Sequence, residues 1–287
     1  MNIVSDIQSV AVVGGGFMGS GIAESVAVAG LPVVVRDVDR ASIERAESRL
    51  EQSLSRAVRG GKLGSTEAQA VRERVELTTD IAAISEADLV VEAVPEDPQL
   101  KHDVMEAINS AVRADAIVSS NTSSIPIAQL ARSIDNPQRV LGLHFFSPVP
   151  VMSLIEVVVA LDTAPDVVAT AKDFAQRLGK RPIETKDRSG FIVNMLLVPY
   201  LVAAVRMFED GFATREDIDA GMKLGCGHPM GPLTLCDFIG LDVLYAICNS
   251  LYEEFKRAEY APPPLLKRML ASGRLGRKSG RGFYTYE

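Results

Sequence analysis

Val10-Ala11-Val12-Val13-Gly14-Gly15-Gly16-Phe17-Met18-Gly19-Ser20-Gly21-Ile22-Ala23-Glu24-Ser25-Val26-Ala27 reads as strand, tight turn and helix in immediate succession. An apolar run delivers the chain into the glycines, and the glycines open onto a helical pattern. In such a unit Gly14 permits the turn, Gly16 lets backbone approach a pyrophosphate, and Gly19 allows close packing of helix on strand. The helix N-terminus offers its N–H groups and the positive end of its dipole to the phosphates. Asp37 ends a second apolar run, Pro32-Val33-Val34-Val35-Arg36, near the spacing at which a carboxylate accepts from the adenosine ribose hydroxyls. A dinucleotide is the expected ligand, with Gly14, Gly16, Phe17, Met18 and Gly19 around its phosphates. Asp37 favours NAD, since a 2′-phosphate would meet a like charge, while Arg36 and Arg40 leave NADP open.

Short apolar runs continue to alternate with helical patterns. Strands are expected over 10–13, 33–36, 75–78, 89–93, 116–119, 140–144 and 154–159, the sign of a parallel sheet with crossover helices. A long charged helix is expected over 40–61, ending at Gly60-Gly61, as an insertion beyond a minimal nucleotide-binding unit. Lys62, just past its stop, either reaches a ligand phosphate or stands in solvent. Strand patterns cease near 181–189, and the remainder reads helical, with a last helix over 265–272. The expected class is α/β: an N-terminal Rossmann-type, mostly parallel sheet with a helical insertion over 1–186, then an all-helical C-terminal domain over 187–287. The helix over 190–209 is apolar around most of its circumference, which asks for burial on nearly every side. Pro199 inside it should remove one hydrogen bond and bend it. So apolar a helix in so small a domain predicts a homodimer formed through the C-terminal domain.

The 287 residues carry a net charge of −7, which gives no electrostatic reason for a nucleic acid or an anionic membrane as partner. The start, Met1-Asn2-Ile3-Val4-Ser5-Asp6, lacks the basic and apolar segments of a signal peptide. The longest apolar stretch, Met195 to Val205, contains Pro199 and is too short to span a bilayer, so the cytoplasm is the expected compartment. Cys226, Cys236 and Cys248 are an odd set without paired spacing and read as reduced core thiols. Cys226-Gly227-His228 has no second ligand pair, and no metal is expected.

Of the histidines, His102 lies in a polar helix start and His228 in a glycine-rich turn before Pro229. His144 differs, because it ends a strand at the carboxyl edge, where ligands collect in open α/β sheets. Glu156 interrupts the apolar run Leu154-Ile155-Glu156-Val157-Val158-Val159, where a carboxylate either points to solvent from an edge strand or, if buried, is held by a partner. His144 is the expected one, the carboxylate fixing the imidazole tautomer. Ser119-Ser120-Asn121-Thr122-Ser123-Ser124 follows another strand and exceeds what capping the next helix requires. Asn194 is a lone amide near the start of an apolar helix and, if buried, must bond backbone or ligand.

Taken in order, several segments resemble the short-chain L-3-hydroxyacyl-CoA dehydrogenase family, whose bacterial members include 3-hydroxybutyryl-CoA dehydrogenases. They are the glycine run from Gly14 to Ala23, Ser120 to Ser124, His144 to Met152, Ser189 to Asn194, His228 to Leu233, and Gly276 to Tyr284. The resemblance implies an NAD-dependent oxidoreductase acting on a short-chain 3-hydroxyacyl-CoA, with His144 as general base supported by Glu156. It implies that Ser123 bonds the reacting oxygen, that Asn194 places the thioester, and that Glu96, Lys101, Ser123 and Lys278 lie near the dinucleotide. The family usually reads His-Phe-Phe-Asn-Pro where this chain has Ser147, and many relatives carry lysine at Ser153. Those changes open an alternative substrate, a carrier-protein-bound hydroxyacyl thioester such as a glyceryl-type unit in polyketide extender-unit synthesis. A non-catalytic nucleotide-binding protein would not need a competent residue at every catalytic position.

Overall fold

The strand β1 (Val10–Val13) is flanked on both sides by parallel neighbours, β2 (Val33–Arg36) and β4 (Leu89–Glu92). A strand so placed is covered on both faces and must be apolar throughout, as Val10-Ala11-Val12-Val13 is. The structure, a computed structural model, describes residues 3–286, so Met1-Asn2, on which the N-terminal reading partly rests, lies outside the described residues. With β3 (Val75–Thr78), β5 (Ile117–Ser120), β6 (Val140–Phe145), β7 (Leu154–Val159) and β8 (Arg181–Lys186) the strands form one sheet, in the order β3-β2-β1-β4-β5-β6-β7-β8. All pairs are parallel except β6 with β7, which is antiparallel. The chain reverses its direction of travel across the sheet between β1 and β4, and the crevice at that switch opens at the carboxyl ends of the strands.

The strand β8 was not expected. Arg181-Pro182-Ile183-Glu184-Thr185-Lys186 has no buried residue and pairs only with β7, so as an edge strand it lacks the apolar run that marks its neighbours. The helix α1 (Phe17–Val28) makes the first crossover. The long helix α2 (Arg40–Arg59) starts at Asp39, whose side chain accepts from Ser42 N, and stops at Gly60. Its buried residues Ile43, Ala46, Leu50 and Leu54 recur at helical spacing. A short return helix, α3 (Ser65–Glu73), buries only Val71, so its sequence carries almost no period. Helices α4 (Pro98–Ala111), α5 (Ile127–Ala131) and α6 (Pro165–Arg177) complete the first unit, residues 1–187. One core runs through it, including Val12, Ile22, Val35, Leu89, Ile117, Leu141 and Ile155.

Residues 188–287 form a second unit of helices α7 (Val193–Glu209), α8 (Arg215–Ala220), α9 (Pro232–Ile239), α10 (Leu241–Phe255) and α11 (Pro264–Ala271). Isolated bridges at Gly276–Arg281 and Arg281–Thr285 add a trace of β structure. The helix α7 begins at 193 rather than 190 because Phe191 is left-handed, with φ 49°, and a right-handed helix cannot run through it. Within the single chain its burial is one-sided: Val198, Leu201, Val202 and Val205 are buried while Leu196 is 73% exposed. Two buried carboxylates staple the chain's last segment: Asp219 accepts from Leu233 N, Thr234 N and the Tyr284 hydroxyl, and Asp237 from Phe283 N, Tyr284 N and the Tyr286 hydroxyl. Among the described residues no single helix is long and apolar enough to cross a membrane.

The thiols separate into two kinds. Cys236 and Cys248 are core residues as expected, but Cys226 is exposed, because it lies in the turn after residues 221–225 rather than on a packed helix face. Burial pushes both core thiols up, Cys248 to about 12. A thiol reagent at neutral pH is therefore expected to label Cys226 alone in the native protein, and all three after denaturation; rapid labelling of Cys236 or Cys248 in the native state would contradict this packing.

Candidate active site

The carboxyl edge of the first unit collects its candidate groups strand by strand. After β1, Gly14 takes φ +104°, and a Cβ there would meet Ala93 O at 2.7 Å, so only glycine makes this turn. Gly19, in the first turn of α1, lies so close to the strand that a Cβ would stand 1.8 Å from Gly14 O. A Cβ on Gly16 would meet nothing within 4 Å, which leaves a backbone-lined cradle at the start of α1. Phe17 is exposed beside it, and Met18 packs inward against the core. The Asp37 carboxylate accepts from Gly15 N at 2.7 Å and Val38 N at 2.7 Å, which fixes it beside the glycine turn. Arg36 donates to Thr79 O and Arg40 to Glu44. A cradle of backbone N–H groups with a fixed carboxylate one strand away fits a dinucleotide with an unsubstituted ribose.

After β5, every backbone N–H from Asn121 to Ala128 is taken, Pro126 having none. Asn121 N donates to Glu92 O, Thr122 N to the Ser120 hydroxyl and Ile125 N to the Thr122 hydroxyl. Glu96 Oε1 accepts from Ser123 N at 3.0 Å, Ser124 N at 3.1 Å and the Thr122 hydroxyl at 2.5 Å. Asp187 accepts from Ile127 N and Ala128 N, each at 2.8 Å. The turn's backbone donors are thus all engaged, which leaves its side chains to offer hydrogen bonds outward. Burial works to raise the Glu96 carboxyl, but the Lys101 charge and the bonds from Thr122, Ser124 and Ser123 outweigh it and hold it below the ordinary carboxylate range.

His144 lies near the end of β6, directly across from Glu156 in the antiparallel register. Its Nδ1 is 2.6 Å from Glu156 Oε2. The glutamate is fully buried and the imidazole is 9% exposed. Phe146 leans on the ring with centroids 4.6 Å apart. The Asn121 side chain accepts from Phe145 N at 2.9 Å, tying the serine-rich turn to the strand that bears the histidine. A carboxylate bonded to Nδ1 assigns Nε2 to any proton exchange with a ligand.

The first unit therefore brings the glycine turn, Asp37, Glu96, Lys101, Ser123, His144 and Glu156 to one sheet edge. Lys62 is exposed beyond α2. Asn194 and Lys278 belong to the second unit: Asn194 is buried in the first turn of α7, and Lys278 Nζ pairs with Asp242 at 2.6 Å. Among the described residues no three His, Cys, Asp or Glu side chains group as metal ligands.

Two residues of this edge, and one past the far end of β8, escaped the sequence reading. Glu92, fully buried at the end of β4, accepts from Lys101 Nζ at 2.7 and 2.9 Å. It ends an apolar run just as Asp37 does, and that signal could have found it. Lys180 donates to Val149 O at 2.6 Å and Met152 O at 2.7 Å, clamping the connection after His144; burial holds its ammonium below the usual lysine range. Asp187 is the third, and nothing in its local sequence reveals a bond sixty residues back.

Residues 9–188 match the family described as 3-hydroxyacyl-CoA dehydrogenase, NAD binding domain, and residues 190–286 match 3-hydroxyacyl-CoA dehydrogenase, C-terminal domain. A 3-hydroxybutyryl-CoA dehydrogenase of Mycobacterium tuberculosis is 50% identical over 98% of this chain and 99% of its own length. A crystal structure of a Mycobacterium tuberculosis protein superposes with TM-score 0.97 at 50% identity, covering 98% of this chain and all of that one (100%). The structure of (S)-3-hydroxybutyryl-CoA dehydrogenase from Ralstonia eutropha follows at TM-score 0.93 and 40% identity, covering 98% of this chain and 100% of its own.

Proposed function

The chain belongs to the 3-hydroxyacyl-CoA dehydrogenase family, and from that membership we propose that it interconverts a short-chain 3-hydroxyacyl-CoA, of the 3-hydroxybutyryl-CoA type, and its 3-keto form with NAD. The observation that carries the reaction is the His144–Glu156 pair at the carboxyl edge of the dinucleotide-binding sheet. When bound, NAD supplies the hydride acceptor. The backbone cradle after β1 holds its pyrophosphate and Asp37 its adenosine ribose. His144 Nε2 accepts the proton of the substrate's 3-hydroxyl as the hydride leaves the same carbon, and returns it when the reaction runs backward. Glu156 holds Nδ1 and balances the imidazolium that forms. Ser123 donates to the reacting oxygen and Asn194 places the acyl thioester. Lys278 serves the dinucleotide, and Lys62, exposed beyond α2, serves the substrate.

The test is NADH oxidation with acetoacetyl-CoA, followed by absorbance, beside a matched carrier-protein thioester and beside NADPH. Turnover with acetoacetyl-CoA and NADH supports this reading. Turnover confined to the carrier-protein form would give the substrate to the Ser147 alternative, and none with any acyl thioester would sink both.

Glu156→Gln keeps the shape of the buried carboxylate and removes its charge. We expect kcat to fall about 100- to 10,000-fold, the span for losing the carboxylate behind a catalytic imidazole, with KM changing far less. An unchanged kcat would remove Glu156 from the mechanism.

The assembly proposed is a homodimer through the second unit, where Leu196, Phe212 and Leu224 are 73, 79 and 86% exposed. The compartment proposed is the cytoplasm.

A further inference from the structure

Lys101 ends in a closed environment. Its ammonium is 1% exposed and stands 2.7 Å from Glu92 Oε1, 2.9 Å from Glu92 Oε2, 3.1 Å from Val94 O and 3.4 Å from Glu96 Oε2. An ammonium has only three protons to donate, and these acceptors use them. Glu92 is itself saturated: Oε1 also accepts from Val94 N at 2.7 Å and Oε2 from the Ser120 hydroxyl at 2.5 Å. Burying such an ion pair is costly and is repaid only by good geometry and full hydrogen bonding, both of which hold here. What the pair reaches outward to is Glu96, and Glu96 grips Ser123 N, Ser124 N and the Thr122 hydroxyl.

We propose that Glu92 and Lys101 are positioning residues: a buried anchor that fixes Glu96, and through it the turn presenting Ser123 to the substrate. The assignment rests on the proposed role of Ser123 and deepens it. The division of labour follows from the two oxygens of Glu96. Oε1 collects the turn's donors while Oε2 faces Lys101, so the cation holds the carboxylate ionised and aimed. Glu92 in turn keeps the ammonium from moving onto Glu96 and pulling it off the turn. Lys101 acts on the turn through Glu96, and Glu92 acts through Lys101.

The test compares Glu92→Gln, Ser123→Ala and the charge-neutral double variant Glu92→Gln/Lys101→Met, the last retaining no lone buried ion should the single variant not fold. Amide hydrogen exchange over residues 121–125 reads the turn directly, independent of catalysis. Faster exchange there than in the parent, and a fall in kcat of about tenfold to 100-fold as expected for a reacting group displaced by about 1 Å, would support the anchor. The double variant should also lose activity at a higher pH on the acid side than the parent, because Glu96 no longer faces a cation. Native exchange over 121–125 in the double variant would overturn the proposal. Ser123→Ala with parental kcat would instead sink the role of Ser123, while the exchange measurement still decides the anchor.

Discussion

Replacing His144 with alanine is expected to lower kcat about 100- to 10,000-fold, the contribution of a positioned general base, while NADH affinity holds. The imidazole is the group on this edge suited to the task. The Ser123 hydroxyl and the Asn121 amide are too weakly basic to accept an alcohol proton, and the Asn121 oxygen is already engaged by Phe145 N. Glu96 is committed to the turn. Loss of the ring also removes the bond that the buried Glu156 carboxylate makes to Nδ1, so His144→Gln belongs in the comparison because its amide can still donate to that carboxylate. Both variants should bind NADH and fail to turn over. A variant that turns over normally would remove the base and, with it, the mechanism.

Gly19→Ala is the second large effect. The added carbon would stand 1.8 Å from Gly14 O and 3.2 Å from Val12 Cγ1, and the first contact is with backbone that cannot rotate away. The start of α1 must lift from β1, at a cost of about 1–3 kcal/mol or more in stability. A shift of about 1 Å at the end that cradles the pyrophosphate should weaken NADH binding on the order of 100-fold. Calorimetric titration with NADH and thermal denaturation measure the two losses separately. An alanine variant with parental affinity would show that the cradle does not hold the phosphates.

The difference between what could and could not be read in advance follows from what covers each element. Strands β1, β2, β4, β5, β6 and β7 are buried between helices and neighbours, so their apolar runs are conspicuous in the sequence. Edge strand β8 and helix α3 bury little and leave no such record. Helix α7 is the opposite case. Its apolar circumference asks for cover all round, while Leu196 and Met207 stay exposed within the single chain, because sequence hydrophobicity does not say which neighbour provides the cover. At the site, the glycine turn and Asp37 are legible because local backbone geometry demands those residue types. His144 and Glu156 stand out because charge at the end of, or within, an apolar strand requires a partner. Lys101 entered only through family likeness, and its enclosure by Glu92 and Glu96 depends on contacts between β4, α4 and the turn after β5, which no local pattern encodes.

Asp187, whose carboxylate grips the start of α5, bears on where this polypeptide can be cut. A recombinant fragment ending at 186 would leave the Ile127 and Ala128 amides unanswered, whereas one ending at 187 carries its own clasp. Chimeras assembled from the halves of related chains should keep that aspartate with the N-terminal portion, since its hydrogen bonds are made there even though it lies at the junction.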